Sequence, residues 1–272
     1  MIDFDSPEVR RVLIFILIFF ILMVLELLIP HREGRHSRFK RWPGNLIILF
    51  LGTLSLRLIA PLLPYNVAVW NDQGGRMLAG MEWIPLWLKV IITIILLDFW
   101  IYIQHLLMHR VPILRDLHRM HHTDTHIDFT TALRFHPLEI IFSALYKTIP
   151  VVLLGLPAVS ILIFEIVLNG SAMFNHANIE LPKWLDKILR TFLVTPDFHR
   201  IHHSRKSVES NSNYGFFLTW WDYCFSSYTR EAQGDRKKFP LGIPGYDETR
   251  IHRLDRLIID PIMPLLKKKN KE

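Results

Sequence analysis

LWLKVIITIILLDFWIYIQHLLMHR, residues 86 to 110, is the stretch that decides the fold. From Leu86 to Leu107 it is predominantly apolar, and a bilayer's hydrocarbon core takes about 20 helical residues to cross. The run closes on His105-Leu-Leu-Met-His109, two imidazoles four positions apart, which on a helix share one face. Similar runs stand on either side: Val12 to Ile29, Leu46 to Leu63, and Leu138 to Phe174. The last is divided by Gly155-Leu156-Pro157, too short a link for a loop domain, and reads as a helical hairpin that goes out and returns, crossing fully or only part-way. Apolar residues make up 50% of the 272-residue chain, and they are concentrated in these runs instead of being spread through a soluble core. The sequence therefore predicts an all-α, multi-pass membrane protein of about four to five membrane helices.

Charge orients the runs. The segment from His31 to Trp42 carries Arg32, Arg35, Arg38, Lys40 and Arg41 against Glu33 alone, so the positive-inside rule makes it cytoplasmic and puts the N-terminus outside. The stretch from Tyr65 to Trp83 is poor in basic residues and is expected to be an outside loop. The third run then returns, and everything from His105 onward to His136, and again from Asn175, falls on the cytoplasmic side as a helical cap. The net charge of +7 comes from cations at run ends, facing anionic lipid. It does not form the continuous basic stripe that nucleic-acid binding requires. Leu254 to Leu266 is amphipathic, interrupted by Pro261 and Pro264, and is expected on the membrane surface. The first run is long, contains Glu26 and ends at Ile29-Pro30-His31 without a small-residue cleavage site; it reads as a retained anchor. Residues 1–85 thus form an anchor, 86–230 a catalytic unit and 231–272 a tail.

Eleven of the 14 histidines lie between His105 and His203. Besides the first pair, His118-Arg-Met-His121-His122 is H-x2-H-H, and His199-Arg-Ile-His202-His203 repeats it. Positions i, i+3 and i+4 of a helix project together, so each box aims two or three imidazoles at one point. Imidazole suits iron, zinc, copper or nickel. Eight such nitrogens exceed the needs of one ion, whereas two ions sharing them keep positions open for O2 or water. The lone cysteine, Cys224, excludes an intrachain disulfide and a Cys-ligated iron–sulfur cluster, so redox chemistry needs electrons from another protein. Soluble di-iron bundles rely on carboxylates and two Glu-x-x-His motifs, a pattern this chain lacks.

These boxes resemble those of the fatty acid hydroxylase and sterol desaturase superfamily. Asp98-Phe-Trp-Ile-Tyr-Ile-Gln-His105, Arg134-Phe-His136-Pro-Leu-Glu139, Phe174-Asn175-His176-Ala-Asn178, Asn213-Tyr-Gly215 and Trp220-Trp-Asp222-Tyr-Cys-Phe225 are similar to its other segments. Phe225-Ser226-Ser227 stands where relatives commonly have Phe-Gly-Thr. The resemblance implies two iron ions, O2 as co-substrate, a lipid substrate such as a sterol or fatty acyl chain, and electrons from NAD(P)H through a separate carrier protein. It implies as ligands His105, His109, His118, His121, His122, His199, His202 and His203, with His176 as a ninth. His136 is open between a tenth ligand, a partner of a ligand and a substrate contact. His126 lies outside the pattern, and His31, His36 and His252 belong to basic loops.

Metal-bound imidazoles usually donate their other N–H to a carboxylate or carbonyl. Asp98, seven residues before His105 in an apolar run, is expected to serve there, since an intramembrane carboxylate is costly. Asp197 and Asp222 are weaker candidates, and Glu165 fits a helix pairing or a substrate path. Hydroxylation is preferred to desaturation because no feature points to the latter. A membrane metal-transport or metal-binding protein is the competing class, although transport sites lie near mid-membrane; a zinc hydrolase would use fewer histidines. The expected home is a bacterial inner membrane, or alternatively the endoplasmic reticulum.

Overall fold

The computed structural model describes residues 6–33, 38–74, 83–246 and 253–264. Helices dominate, and the described residues contain no strand, only isolated bridges. Among the described residues, five stretches are long and apolar enough to cross a membrane: Pro7–Leu28, Arg38–Gln73, Leu86–Arg110, Pro137–Leu154 and Ala158–His176. The protein is a multi-pass membrane protein.

The first helix, α1 (Pro7–Leu28), starts where Ser6 caps it and Pro7 supplies a ready-made first turn. The second span is bent. It comprises α2 (Arg38–Leu56), a 3-10 turn (Arg57–Leu62) and α3 (Pro64–Gly74), broken at Ile59 (φ −122°) and Pro61, where the ring removes a backbone donor. The expected outside loop after Tyr65 is thus corrected: its first part is α3. Val67 and Ala68 of α3 are buried with Leu97, Ile101, Val151, Ile161 and Phe164, so apolar packing overrides the weak helical signal of the segment.

The next helix, α4 (Leu86–Arg110), carries the first histidine pair at its end. After Val111 the chain turns into α5 (Pro112–His122). The expected hairpin is present as α6 (Pro137–Leu154) and α7 (Ala158–His176), joined at Gly155, which sits in the left-handed region (φ 57°) and closes α6. Short helices α8 (Lys183–Leu189), α9 (Pro196–His202), α10 (Ser207–Ser210) and α11 (Trp220–Cys224) build a cap with α5 where α4 and α7 end. Last, α12 (Leu254–Ile259) buries Leu257 against Ile48 and Met120 with Leu254 packed beside them, while Ile259 stays exposed. The C-terminal lysines Lys267, Lys268, Lys269 and Lys271, together with His36 and His252, lie outside the described residues.

Two buried polar devices bind the bundle to the cap. The Glu26 carboxylate accepts from Phe129 N and Asn178 N, both at 2.8 Å, tying the end of α1 to the segments after α5 and α7. Arg41 pairs with Asp124 and Asp128, both at 2.8 Å, and fixes the loop that leaves α5.

Candidate metal centre

Nine imidazoles converge between the ends of α4 and α7 and the helices α5 and α9, and they sort into two groups. His105, His109, His118, His122 and His202 place one ligand nitrogen each within 4.8 Å of one another; His121, His176, His199 and His203 do the same. The helical repeat explains the sorting. In each H-x2-H-H box the outer residues, four apart, lie about 40° from each other round the helix, and the middle one stands about 60° to the other side of the first, so one box can reach two neighbouring points. Helix α5 therefore gives His118 and His122 to the first group and His121 to the second. Facing it, α9 gives His199 and His203 to the second group and His202 to the first. His105 and His109 of α4 complete one group, and His176 of α7 completes the other.

The spacing within the groups calls for a central cation. In the second group, Nε2 of His176 lies 3.0 Å from His121 Nε2, 3.2 Å from His203 Nε2 and 3.1 Å from His199 Nε2. A ring nitrogen offers one proton or one lone pair, so three simultaneous hydrogen bonds are impossible. Metal–imidazole bonds of about 2.0–2.1 Å put neighbouring ligand nitrogens roughly 3 Å apart, the separation found. In the first group, His118 and His122 approach to 3.2 Å through Nε2. The buried Nε2 atoms of His105, His109 and His202 have no hydrogen-bond partner, an arrangement that costs stability unless a ligand fills it. The donor set fits iron, with neutral nitrogens in numbers that leave coordination positions open.

Tautomers are set from behind. His105 Nδ1 donates to Tyr214 O at 2.8 Å, His202 Nδ1 to Ser212 O at 2.8 Å and His176 Nδ1 to Ala172 O at 2.6 Å. Each leaves its Nε2 lone pair facing the group. His118 Nδ1 meets the buried Glu139 carboxylate at 2.6 Å, the contact that makes an imidazole a stronger base toward metal. Burial, then the neighbouring rings, pushes His121, His122, His199, His202 and His203 well below the ordinary histidine range, so they are neutral and ligand-competent at neutral pH.

The carboxylates expected behind the histidines lie elsewhere, and this is a correction. Asp98 accepts from Phe217 N at 3.0 Å, Leu218 N at 3.1 Å and the Trp221 indole at 2.8 Å, so it holds a loop and touches no imidazole. Asp197 pairs with Arg200 and with Arg236, with His31 Nδ1 at 3.7 Å. Asp222 accepts from Tyr214 N at 2.8 Å and Gly215 N at 2.6 Å, and so reaches His105 only through the Tyr214 carbonyl. A Cβ at Gly215 would come within 2.8 Å of the Asp222 carboxylate, which explains the glycine. Glu165 pairs with Arg11 between α7 and α1. His136 joins neither group: its Nδ1 accepts from Leu138 N at 3.1 Å, capping α6, and its Nε2 faces Ile258 O at 3.2 Å. His126 also lies outside both groups.

Sequence reasoning missed Glu139 as a partner of His118. Its signal was a carboxylate in the first turn of an apolar helix, which reads equally as a charge favouring the helix N-terminus. It also missed Asp124. Burial alone would raise that carboxyl, but Arg41 and Arg134 beside it hold it well below the usual range.

The sequence profile described as fatty acid hydroxylase matches residues 90–227. An ornithine lipid hydroxylase of Rhizobium tropici is 30% identical over 169 residues, covering 62% of this chain and 47% of the relative. Alkylglycerol monooxygenase of Homo sapiens is 28% identical over 153 residues, 54% of this chain and 32% of the relative. A very-long-chain aldehyde decarbonylase of Oryza sativa subsp. indica is 22% identical over 215 residues, 75% and 31%. This chain spans half or less of the length of these relatives. No solved structure matches it significantly.

Proposed function

Because the chain belongs to the fatty acid hydroxylase family, we propose that it is a di-iron, O2-dependent oxidoreductase that hydroxylates a C–H bond of a membrane lipid. The observation that carries this reading is the division of nine histidines into a group of five and a group of four. His105, His109, His118, His122 and His202 would hold one iron, and His121, His176, His199 and His203 the other. Two irons so held would supply the reduction of O2 and the removal of hydrogen from an unactivated carbon.

The chain's own residues supply the rest. Glu139 and the carbonyls of Tyr214, Ser212 and Ala172 keep the ring protons on Nδ1 and the lone pairs on Nε2. The apolar helices deliver a substrate that stays in the bilayer, and the histidine-bearing end of α4 meets it at the membrane edge. That edge is proposed to be the cytoplasmic one, where a separate carrier brings electrons from NAD(P)H. Each turnover puts one oxygen atom into the lipid and one into water, consuming two electrons and two protons. The relatives' printed names concern an ornithine lipid, an alkylglycerol and a very-long-chain aldehyde, none of them a sterol, which favours an acyclic lipid over a sterol as the substrate. The gathering of the histidines at helix ends and in a cap argues against a metal-transport path through mid-membrane.

The test is O2 uptake by the purified protein in lipid vesicles with a chemical reductant, followed by mass spectrometry of the lipid. Reductant-dependent appearance of lipid one oxygen atom heavier is expected. It should be lost by more than ~100-fold in His121→Ala with His122→Ala, which takes one ligand from each group and so exceeds the loss of an outer partner. Unchanged lipid from iron-loaded protein, with metal flux across the vesicle, would overturn the reading.

A further inference from the structure

The cap carries an apolar surface outside the five membrane helices. On α8, Trp184 and Ile188 are 65% and 56% exposed; Phe192 is 58%; Trp220, Tyr223 and Phe225 are 38%, 41% and 57%. Exposed apolar side chains scattered singly need no explanation, but these belong to one unit. Val194 N donates to Phe217 O at 2.9 Å and Thr219 N to Phe192 O at 3.1 Å, so the stretch after α8 runs antiparallel to the stretch before α11. Tyr223 Oη donates to Arg190 O at 3.0 Å and closes the unit. The result is a ledge.

The ledge is seated on α4 well below its last turn. Phe99 packs on Trp221 at 4.8 Å and stacks on Phe225 at 5.8 Å, and Tyr102 stacks on Phe225 at 5.6 Å. Phe99 lies eleven residues before Arg110, about 16 Å along a helix rising 1.5 Å per residue. It continues the face of α4 that carries the exposed Ile92, within the stretch Leu86–Arg110 that is long and apolar enough to cross a membrane. Non-helical backbone at such depth needs its polar groups satisfied within the protein. Asp98 does this: its two carboxylate oxygens take Phe217 N, Leu218 N and the Trp221 indole, a costly buried charge that a loop bathed in water would not need. The exposed Lys183 and Lys187 flank Trp184 and Ile188 on α8, the pairing of cations with aromatics found at a headgroup layer.

We infer that the ledge of residues 183–193 and 217–225 is embedded in the lipid monolayer on the histidine side of the bundle. Its occupant is lipid: acyl chains against Ile188, Phe192 and Phe225, anionic headgroups against Lys183 and Lys187. Clamped to α4 through Asp98, it fixes the depth at which His105 and His109 stand. The inference goes beyond the proposed reaction and holds whichever metal the histidines bind.

Cys224, the single cysteine of the chain, is exposed within the ledge and serves as a built-in probe. A nitroxide on Cys224 is measured in vesicles of phosphatidylcholine and phosphatidylglycerol by power saturation, with O2 and a water-soluble nickel chelate as relaxants. In a Cys224→Ala background, Leu17→Cys on α1 gives the lipid reference and Lys238→Cys, exposed in the cap, the aqueous one. The oxygen-to-nickel collision ratio at Cys224 should match Leu17→Cys and exceed Lys238→Cys several-fold. Trp184→Cys in the same background should read likewise, which covers the case in which the label disturbs packing on Phe99. A ratio equal to that of Lys238→Cys at both ledge positions would overturn the inference. So would low collision with both relaxants together with dipolar broadening, which would show a second copy of the chain in place of lipid.

Discussion

The two histidine groups are built by the same pair of boxes yet are finished differently. The group completed by α4 has five nitrogens and includes His109, its one half-buried member. Three of its rings are held from behind by Glu139, Tyr214 O and Ser212 O. The group completed by α7 has four, all buried, and only His176 has a partner behind it, Ala172 O; Nδ1 of His121, His199 and His203 has none. One group is braced and open at an edge, the other enclosed and held by packing. The difference teaches that H-x2-H-H is a bridging unit: each box spends its outer pair on one group and its middle histidine on the other, so neither group can form without both boxes.

Single-ligand variants test that division most severely. His105→Ala should empty the five-membered group and leave about one iron per chain, and His176→Ala should empty the other. Spectroscopy of the residual iron should then give two different signatures. Identical residual spectra, or loss of both irons in each variant, would show that the groups are one site. Next in size is Glu139→Ala, which removes the brace on His118. An outer partner of this kind is worth about 10–100-fold in metal affinity, and the loss should fall on the five-membered group alone in a metal titration.

The smallest effect concerns the metal-free protein. Folding holds His121, His122, His199, His202 and His203 below their ordinary value of 6.5, by burial first and then by neighbouring rings. The unfolded chain therefore binds more protons once pH falls below about 6.5, and stability is lost with acidification through that range and unaffected above it. Three of these five rings belong to the enclosed group. Melting temperature of the iron-free protein should be level from pH 8 to 7 and fall from pH 6.5 to 5 (pH values on the order of the histidine range). A curve level throughout would contradict the burial of neutral rings.

Much of this was legible in the sequence because it is local. The boxes advertise themselves by i, i+3, i+4 spacing, and the apolar runs by length. What the sequence hid depends on how distant segments meet. Glu139 lies 21 residues from His118 and comes to it because His136 and Pro137 start α6 beside α5. Asp98 sits about two turns before His105 on α4, so spacing alone aims it at the metal centre. In the fold, the segment 119 and 120 residues further on arrives first and takes both carboxylate oxygens. The distribution of the boxes between two groups was equally hidden, since it requires knowing that α5 and α9 face each other. Helix α3 has the sequence of a loop, only weakly amphipathic, and Val67 and Ala68 become helical through the partners they pack on.

The most direct measurement is iron content per chain of protein purified in detergent and reconstituted anaerobically with ferrous iron. About two irons per chain are expected, falling to near zero when His121 and His122 are both changed to Ala. One iron per chain, or two retained by the double variant, would contradict a pair of ions shared between the two boxes.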